Sequence, residues 1–139
     1  MITPSAIRYP YRPIFDDGTI SVLSYPPETV IAEKFETLVR RGEENGRARD
    51  FYDAALLLEL YRDKVDWKTT RAAIMATAEK RGSADEMPKF REVLDEARTS
   101  DYIRQAIWEP YVKANPFISD LTLDEALDAT ITIGELAGL

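Results

Sequence analysis

The residue types and spacings that suit chemistry belong to one lysine and two aspartates. On a helix, Lys34 lies three residues after Ile31 and four before Leu38, so its side chain projects toward their apolar stripe. Asp50 and Asp53 are three residues apart and share one face at the start of the next helix. An ammonium group neutralises phosphate charge, and carboxylates hold a hard cation or accept a proton. The pattern therefore predicts a crevice suited to phosphate chemistry with a divalent metal.

A basic turn lies between the lysine and the aspartates. Residues 40–49 contain four arginines and two glutamates, a local net charge of +2. The turn is either a solvated loop or a contact for phosphate groups. The site residues also have structural alternatives. The stem of Lys34 can lie along apolar surface, and Asp50 and Asp53 can stabilise a helix N-terminus. Arg47 and Arg49 can pair with these aspartates in a structural network.

The composition excludes several kinds of catalytic and binding protein. The chain of 139 residues has no cysteine and no histidine, which excludes disulfides, thiolate zinc sites, cysteine nucleophiles and histidine catalysis. Its net charge of −7 argues against general nucleic-acid binding. No apolar run approaches the length of a membrane span, and no secretory signal is visible at the N-terminus. We therefore expect a cytoplasmic protein without membrane attachment.

The predicted fold class is α+β, mainly α, as a single domain over residues 1–139. Residues 1–25 predict an extended arm or short β-hairpin, with strands at 7–15 and 19–25 around the turn Asp16-Asp17-Gly18. Residues 26–139 predict a bundle of five or six helices. The first helix is bounded by Pro27 and Gly42, the second covers residues 49–62, and the third is bounded by Asp66 and Gly82. The fourth begins at Pro88, and the fifth begins near residue 100 and should kink or end at Pro110. The last begins with a capping box of Thr122 and Glu125.

Two segments of the chain resemble a known family. Residues 24–39, with the sequence SYPPETVIAEKFETLV, and residues 47–53, with the sequence RARDFYD, resemble the AbiEii/AbiGii toxin family. Its members are nucleotidyltransferase-like proteins of bacterial abortive-infection and type IV toxin–antitoxin systems. The family shows an Ala-Glu-Lys motif after a strand, then an Arg-x-Lys-Asp-aromatic-x-Asp motif that opens a helix. In this chain Arg49 stands in place of the lysine of the second motif.

The resemblance implies a role for each candidate residue. Lys34, Asp50 and Asp53 would be catalytic. Lys34 would contact nucleotide phosphates, one aspartate would assist the metal site or the attacking hydroxyl, and the other would position its neighbours. Arg47 and Arg49, in the basic turn, would bind phosphates of the nucleotide or the acceptor. The implied reaction transfers a nucleotide from a nucleoside triphosphate to an acceptor hydroxyl with Mg²⁺. The implied partners are an RNA acceptor such as tRNA and an antitoxin protein.

The chain also departs from the family pattern. The wider nucleotidyltransferase fold begins with a Gly-Ser turn and an Asp-x-Asp pair, but here Gly18 is followed by threonine, and Asp16 and Asp17 are adjacent. We therefore expect the C-terminal portion of such a protein, without the upstream catalytic sheet and with an incomplete metal site. Whether this chain alone is an active enzyme stays open.

The alternative function is a non-catalytic helical module that binds a partner protein or a nucleotide. Residues 117–139 contain five acids and no lysine or arginine, so this segment could dock a basic partner such as an antitoxin. A third and simpler interpretation is a structural fragment with no activity of its own.

Overall fold

Six α-helices form the framework of the computed structural model, which describes residues 26–118 and 120–139. Short 3-10 segments at Gly42–Glu44, Ala84–Lys89 and Pro116–Ile118 and one π-helical segment at Tyr102–Trp108 connect them. The helices are α1 Pro27–Arg41, α2 Ala48–Tyr61, α3 Trp67–Arg81, α4 Phe90–Arg98, α5 Glu109–Ala114 and α6 Leu123–Leu136.

The α+β fold class predicted from the sequence was wrong for the described residues, whereas the bundle of five or six helices predicted for residues 26–139 is confirmed by their six α-helices. The described residues contain helices and no strand, so they form an all-helical bundle. The predicted β-hairpin lies within residues 1–25, outside the described residues. The bundle needs no sheet to cover its core, because α1 packs against α2 and α3 while α6 packs against α2 and α4. The extent of a single domain over residues 1–139 stays a prediction.

Helix α1 begins and ends where its local signals predict. Pro27 occupies the first turn, where its missing N–H costs no hydrogen bond. Gly42 ends the helix with a φ of 52°, and a Cβ there would lie 2.9 Å from Cγ1 of Val93, so both conformation and space favour glycine. The predicted apolar stripe is buried along its whole length, at Ile31, Phe35, Leu38 and Val39.

The caps of α3 and α6 are also confirmed. Asp66 accepts hydrogen bonds from the backbone N–H groups of the first turn of α3, and Gly82 ends that helix in the left-handed conformation. At α6, Thr122 Oγ1 accepts from the backbone N–H of Glu125 at 3.0 Å, and the Glu125 carboxylate accepts from the backbone N–H of Thr122 at 2.9 Å. This reciprocal pair is the predicted capping box.

The region around Pro110 differs from the prediction of a kinked or terminated helix. Residues Tyr102–Trp108 wind as a π-helix, and Pro110 follows in the first turn of α5, which continues to Ala114. The chain therefore stays helical on both sides of Pro110, with a π-helix before it and an α-helix after it. Proline is tolerated in the first turn of α5 because that position needs no N–H donor. Trp108 is buried, whereas Tyr102 is exposed and does not belong to the core.

One part of the core lies where α1, α4 and α6 meet. Phe35 and Phe90 are both buried, and their ring centroids are 5.7 Å apart. Gly134 allows α6 to approach this pair, since a Cβ at that position would lie 2.5 Å from Cε2 of Phe90. The close packing at this point fixes how α4 and α6 lie against α1, and α1 carries the lysine singled out above.

Candidate active site

The structure brings Lys34, Asp50 and Asp53 into one cluster between α1 and α2. Nζ of Lys34 lies 3.2 Å from Oδ1 of Asp50 and 3.1 Å from Oδ2 of Asp53. The side chain of the lysine is 24% exposed, whereas those of the two aspartates are 4% and 7% exposed. One ammonium group therefore bridges two almost fully buried carboxylates. The juxtaposition predicted from the spacing is present, although the role of each residue stays a prediction.

Local helix geometry explains how the cluster forms. Lys34 lies on α1 beside its buried stripe, so the packing of α1 on α2 directs the ammonium toward the second helix. Asp50 and Asp53, three residues apart, present their carboxylates from the same face at the start of α2. Arg49 adds a longer contact, with its Nε at 3.5 Å from Oδ2 of Asp53.

Burial dominates the electrostatics of Asp53. Desolvation raises the pKa of Asp53 above its ordinary value, and the opposing attraction of Lys34 and Arg49 does not restore it. The nearby charge of Asp50 raises the pKa of Asp53 further. Within the described residues, Oδ2 of Asp50 is buried and has no hydrogen-bond partner. The cluster therefore contains a carboxyl group that resists ionisation and an acceptor oxygen that is not used by the described fold.

A buried asparagine shapes the basic turn. Asn45 is fully buried, and its Oδ1 accepts a hydrogen bond from the backbone N–H of Arg47 at 2.8 Å. This bond holds the backbone of Arg47 immediately before α2 begins, next to the aspartates. In the sequence, Asn45-Gly46 indicates only a loop, because nothing local shows that the amide is buried.

A pocket of about 250 Å³ opens beside the cluster. Of the predicted phosphate-binding residues, Lys34 and Arg47 line this pocket, whereas Arg49 is not part of the lining and pairs with Asp53 instead. Five cationic and two acidic side chains line it, so its charge favours an anion. The lining residues are Glu33, Lys34, Thr37, Arg40, Arg41, Arg47, Asp50 and Arg81.

Two lining arginines belong to a network that the sequence did not predict. Glu36 is fully buried and accepts hydrogen bonds from Arg40, Arg81 and Ser83. Burial by itself would raise the pKa of Glu36, but the hydrogen bonds from Ser83, Arg81 and Arg40 together outweigh burial and lower it. The only local signal for this network is the spacing of four residues between Glu36 and Arg40, which suits an ion pair on one helix.

The cluster does not fit a Mg²⁺ ion on its own. No group of three or more acidic, histidine or cysteine side chains that could hold a metal occurs in the part of the chain that the structure describes. The ammonium of Lys34 also lies within 3.2 Å of both carboxylates and would repel a divalent cation placed between them. We therefore derive no step of the chemistry from a metal held by these residues.

The described fold is an all-helical bundle with a lysine–carboxylate cluster beside a cationic pocket. A family model described as nucleotidyl transferase AbiEii toxin, type IV toxin–antitoxin system, matches residues 1–129 of the 139-residue chain. The chain therefore belongs to the AbiEii nucleotidyltransferase toxin family, which confirms the resemblance found in the sequence. No curated protein and no solved structure matches the chain significantly. None of the helices among the described residues is long and apolar enough to cross a membrane.

Proposed function

We propose that Lys34, Asp50 and Asp53 form one face of the site at which a nucleoside triphosphate is bound and its nucleotide transferred to an acceptor hydroxyl. Family membership supports the coarser role, a nucleotidyltransferase-like toxin. The observation that carries the finer proposal is the bridge from Lys34 to both aspartates, beside a pocket lined mostly by cations. Such a pocket suits phosphate groups, because guanidinium and ammonium groups form charge-assisted hydrogen bonds with them.

The size of the pocket indicates which part of the nucleotide it holds. At about 250 Å³ it is smaller than the roughly 300–1,000 Å³ of pockets that enclose a whole ligand of drug size. Its lining residues are polar or charged and offer no aromatic surface on which a base could stack. We therefore place the phosphate chain in this pocket and the nucleoside outside it.

The proposed chemistry assigns different tasks to the two aspartates. The acceptor oxygen forms a bond to the α-phosphorus, the bond from that phosphorus to the bridging oxygen of pyrophosphate breaks, and the electron pair leaves with pyrophosphate. Asp50 lines the pocket beside Lys34, so its carboxylate is placed to receive the hydroxyl proton. Asp53 is engaged by Lys34 and Arg49 and positions the lysine.

The remaining elements of the proposal come from the family alone. Mg²⁺ would accompany the triphosphate and supply charge neutralisation when bound. The type IV toxin–antitoxin family supports an antitoxin partner. An RNA acceptor such as tRNA and a cytoplasmic location complete the proposal as expectations from the resemblance. We derive none of these from the geometry of the described residues.

Calorimetry with each of the four nucleoside triphosphates and Mg²⁺ tests the proposal. Arg47→Gln removes an exposed cation from the pocket without disturbing the buried cluster, and it should weaken binding about tenfold or more. The matched control is Arg62→Gln, which removes an exposed arginine outside the pocket and should leave affinity unchanged. Absence of binding by the wild type, or equal affinity in both variants, would overturn the proposal.

A non-catalytic helical module is the second candidate function. It is favoured by residues 117–139, which contain five acids and no lysine or arginine. The acids proposed to dock a basic partner are partly engaged within the fold. Arg98 pairs with Asp124 and Asp128, and Arg104 pairs with Asp124 at 2.7 Å. Binding of a basic antitoxin that survives Lys34→Arg and Arg47→Gln, without nucleotide binding, would support this candidate over the first.

A further inference from the structure

The buried carboxylate of Glu36 holds two arginines at the edge of the pocket. Its Oε2 accepts hydrogen bonds from Nε of Arg40 at 2.8 Å and from Oγ of Ser83 at 2.7 Å. Its Oε1 accepts from Nη1 of Arg81 at 2.7 Å. Glu36 is fully buried, whereas the side chains of Arg40 and Arg81 are 32% and 38% exposed. Each arginine therefore has one end fixed inside the protein and the other open to the pocket.

The charges of this network do not balance. A single carboxylate faces two guanidinium groups, and within residues 26–118 and 120–139 neither arginine has an ion pair with another acid. The whole pocket has five lining cations against three carboxylates, even when the buried Glu36 is counted with Glu33 and Asp50. A purely structural ion pair would need only one arginine. The second leaves a positive charge directed at solvent or at a ligand.

The geometry of the hydrogen bonds leaves donors available. Arg40 uses Nε to bind Glu36, and Arg81 uses Nη1 to bind Glu36 and, at 3.3 Å, Oγ1 of Thr37. A guanidinium group has five N–H donors in a rigid plane, so several remain on each arginine. Because their planes are already anchored, these donors can bind phosphate oxygens in pairs with little further loss of side-chain entropy.

We infer that Arg40 and Arg81 form an anion subsite that binds the pyrophosphate part of a nucleoside triphosphate, with Glu36 and Ser83 as positioning residues. This inference rests on the proposed function and extends it, since it gives the two terminal phosphates a place apart from Lys34 and Arg47. The transfer reaction releases pyrophosphate, and its negative charge grows as the bond to the α-phosphorus breaks. Two anchored guanidinium groups stabilise that charge in advance of the reaction.

Calorimetric titration with sodium pyrophosphate, without divalent metal, tests the subsite. The wild type should bind pyrophosphate more tightly than adenosine monophosphate. Arg40→Gln and Arg81→Gln should each weaken pyrophosphate binding about tenfold or more and leave adenosine monophosphate binding within about twofold. Arg81→Lys keeps the charge but loses the planar pair of donors, so it should also weaken pyrophosphate binding. Arg62→Gln is the matched control, because it removes an exposed arginine outside the pocket.

The positioning role of Glu36 can be tested because it predicts the opposite change in pyrophosphate affinity from a purely electrostatic role. If the arginines act only as charges, Glu36→Gln removes a nearby negative charge and pyrophosphate should bind more tightly. If Glu36 anchors the arginines, Glu36→Gln should weaken pyrophosphate binding severalfold. Ser83→Ala removes one donor to the same carboxylate without changing charge, so it should also weaken pyrophosphate binding. This variant replaces Glu36→Gln as the test if circular dichroism shows that Glu36→Gln is unfolded. Tighter binding in Glu36→Gln, or unchanged binding in a folded Ser83→Ala, would overturn the positioning role.

The outcomes separate this inference from the proposed function. Nucleoside triphosphate binding that is lost in Arg47→Gln but unchanged in Arg40→Gln and Arg81→Gln would refute the subsite and leave the proposed function standing. A wild type that binds adenosine monophosphate but not pyrophosphate would also refute the subsite. Loss of pyrophosphate binding in both arginine variants, with equal triphosphate affinity in Arg47→Gln and Arg62→Gln, would support the subsite as an anion site and overturn the proposed function.

Discussion

Replacing Lys34 by methionine should expose how the two buried aspartates are held. Methionine keeps most of the apolar stem of the lysine, so the substitution mainly removes the ammonium group. That group lies 3.2 and 3.1 Å from carboxylate oxygens of Asp50 and Asp53, whose side chains are only 4% and 7% exposed. Without it, two like charges remain buried next to each other, and the contact of Arg49 with Asp53 at 3.5 Å is longer than either contact of the lysine.

The expected loss of stability follows from the burial of the pair. Removing one partner of a fully buried ion pair costs about 3–5 kcal/mol. The lysine side chain is 24% exposed, so solvent screens part of the interaction and we expect about 2–3 kcal/mol. For a chain of this size, such a loss lowers the midpoint of thermal unfolding by roughly 6–12 °C. Lys64→Met, at an exposed lysine without an ion pair among the described residues, should change stability by less than about 0.5 kcal/mol.

The loss should also depend on pH. The pKa of Asp53 is raised above its ordinary value of 3.8 by burial, against the lowering effect of Lys34. Because the pKa of Asp53 is raised in the folded state, ionisation of its carboxyl group opposes folding. This destabilisation is absent below pH 3.8, the ordinary pKa, and grows as pH rises through the pKa of the folded state. Removing Lys34 raises the pKa of Asp53 further, which makes the deficit of Lys34→Met largest near neutral pH and smaller in acid.

Urea unfolding of wild type, Lys34→Met and Lys64→Met, followed by circular dichroism between about pH 4 and pH 7, measures this deficit. A deficit below about 1 kcal/mol near neutral pH, or one that does not shrink in acid, would refute the bridge as a source of stability. The same data decide how activity tests are designed. If Lys34→Met is destabilised as expected, Lys34→Arg is the better variant for activity, because it keeps a positive charge beside the aspartates.

Three further predictions concern the rest of the fold. Gly134→Ala should lower the free energy of unfolding in urea by about 1–2 kcal/mol, because its Cβ would lie 2.5 Å from Cε2 of Phe90. Gly46→Ala is the control and should be close to neutral, since the nearest atom to its Cβ would be 3.8 Å away. Equal urea midpoints for the two variants would contradict this prediction. Thr122→Ala should cost about 1 kcal/mol in the same assay by removing the α6 cap, and an unchanged midpoint would argue against it. The pKa of Glu36 in the folded state lies below its ordinary 4.5, so the ionised carboxylate stabilises the fold above pH 4.5, and this stabilisation is lost as pH falls through the folded-state pKa. The free energy of unfolding should therefore fall less with decreasing pH in Glu36→Gln than in wild type.

The ends of several helices could be predicted from the sequence because their causes are local, whereas Pro88, predicted to begin the fourth helix, lies inside the 3-10 segment before α4. Pro27 and Gly42 bound α1, Asp66 begins α3, and Thr122 caps α6, each through backbone conformation or hydrogen bonds within a few residues. The predicted second helix, residues 49–62, differs from the observed Ala48–Tyr61 by one residue at each end. Such signals are strong because they do not depend on how the helices pack.

The pairing of Lys34 with Asp50 and Asp53 was predictable for a related reason. The lysine lies beside an apolar stripe and the aspartates share a face of the next helix, so any packing of α1 on α2 through their apolar sides brings them close. Family motifs pointed to the same three residues. The division of labour between the arginines was not predictable, since Arg47 lines the pocket while Arg49, two residues later, turns to Asp53.

The α+β fold class rested on strand signals within residues 1–25, and it was wrong for the described residues because their helices cover one another without a sheet. The sequence by itself determined the caps of α1, α3 and α6 and the buried stripe of α1, because these depend on neighbours within one or two turns. It also indicated the cluster around Lys34, because the lysine and the aspartates lie on consecutive helices that pack together. Only the tertiary structure decided that Arg81 reaches Glu36 across 45 positions of the chain and that Gly134 admits Phe90. These contacts depend on the packing of α1 on α3 and of α4 on α6, and helical periodicity identifies a buried face without specifying its partner.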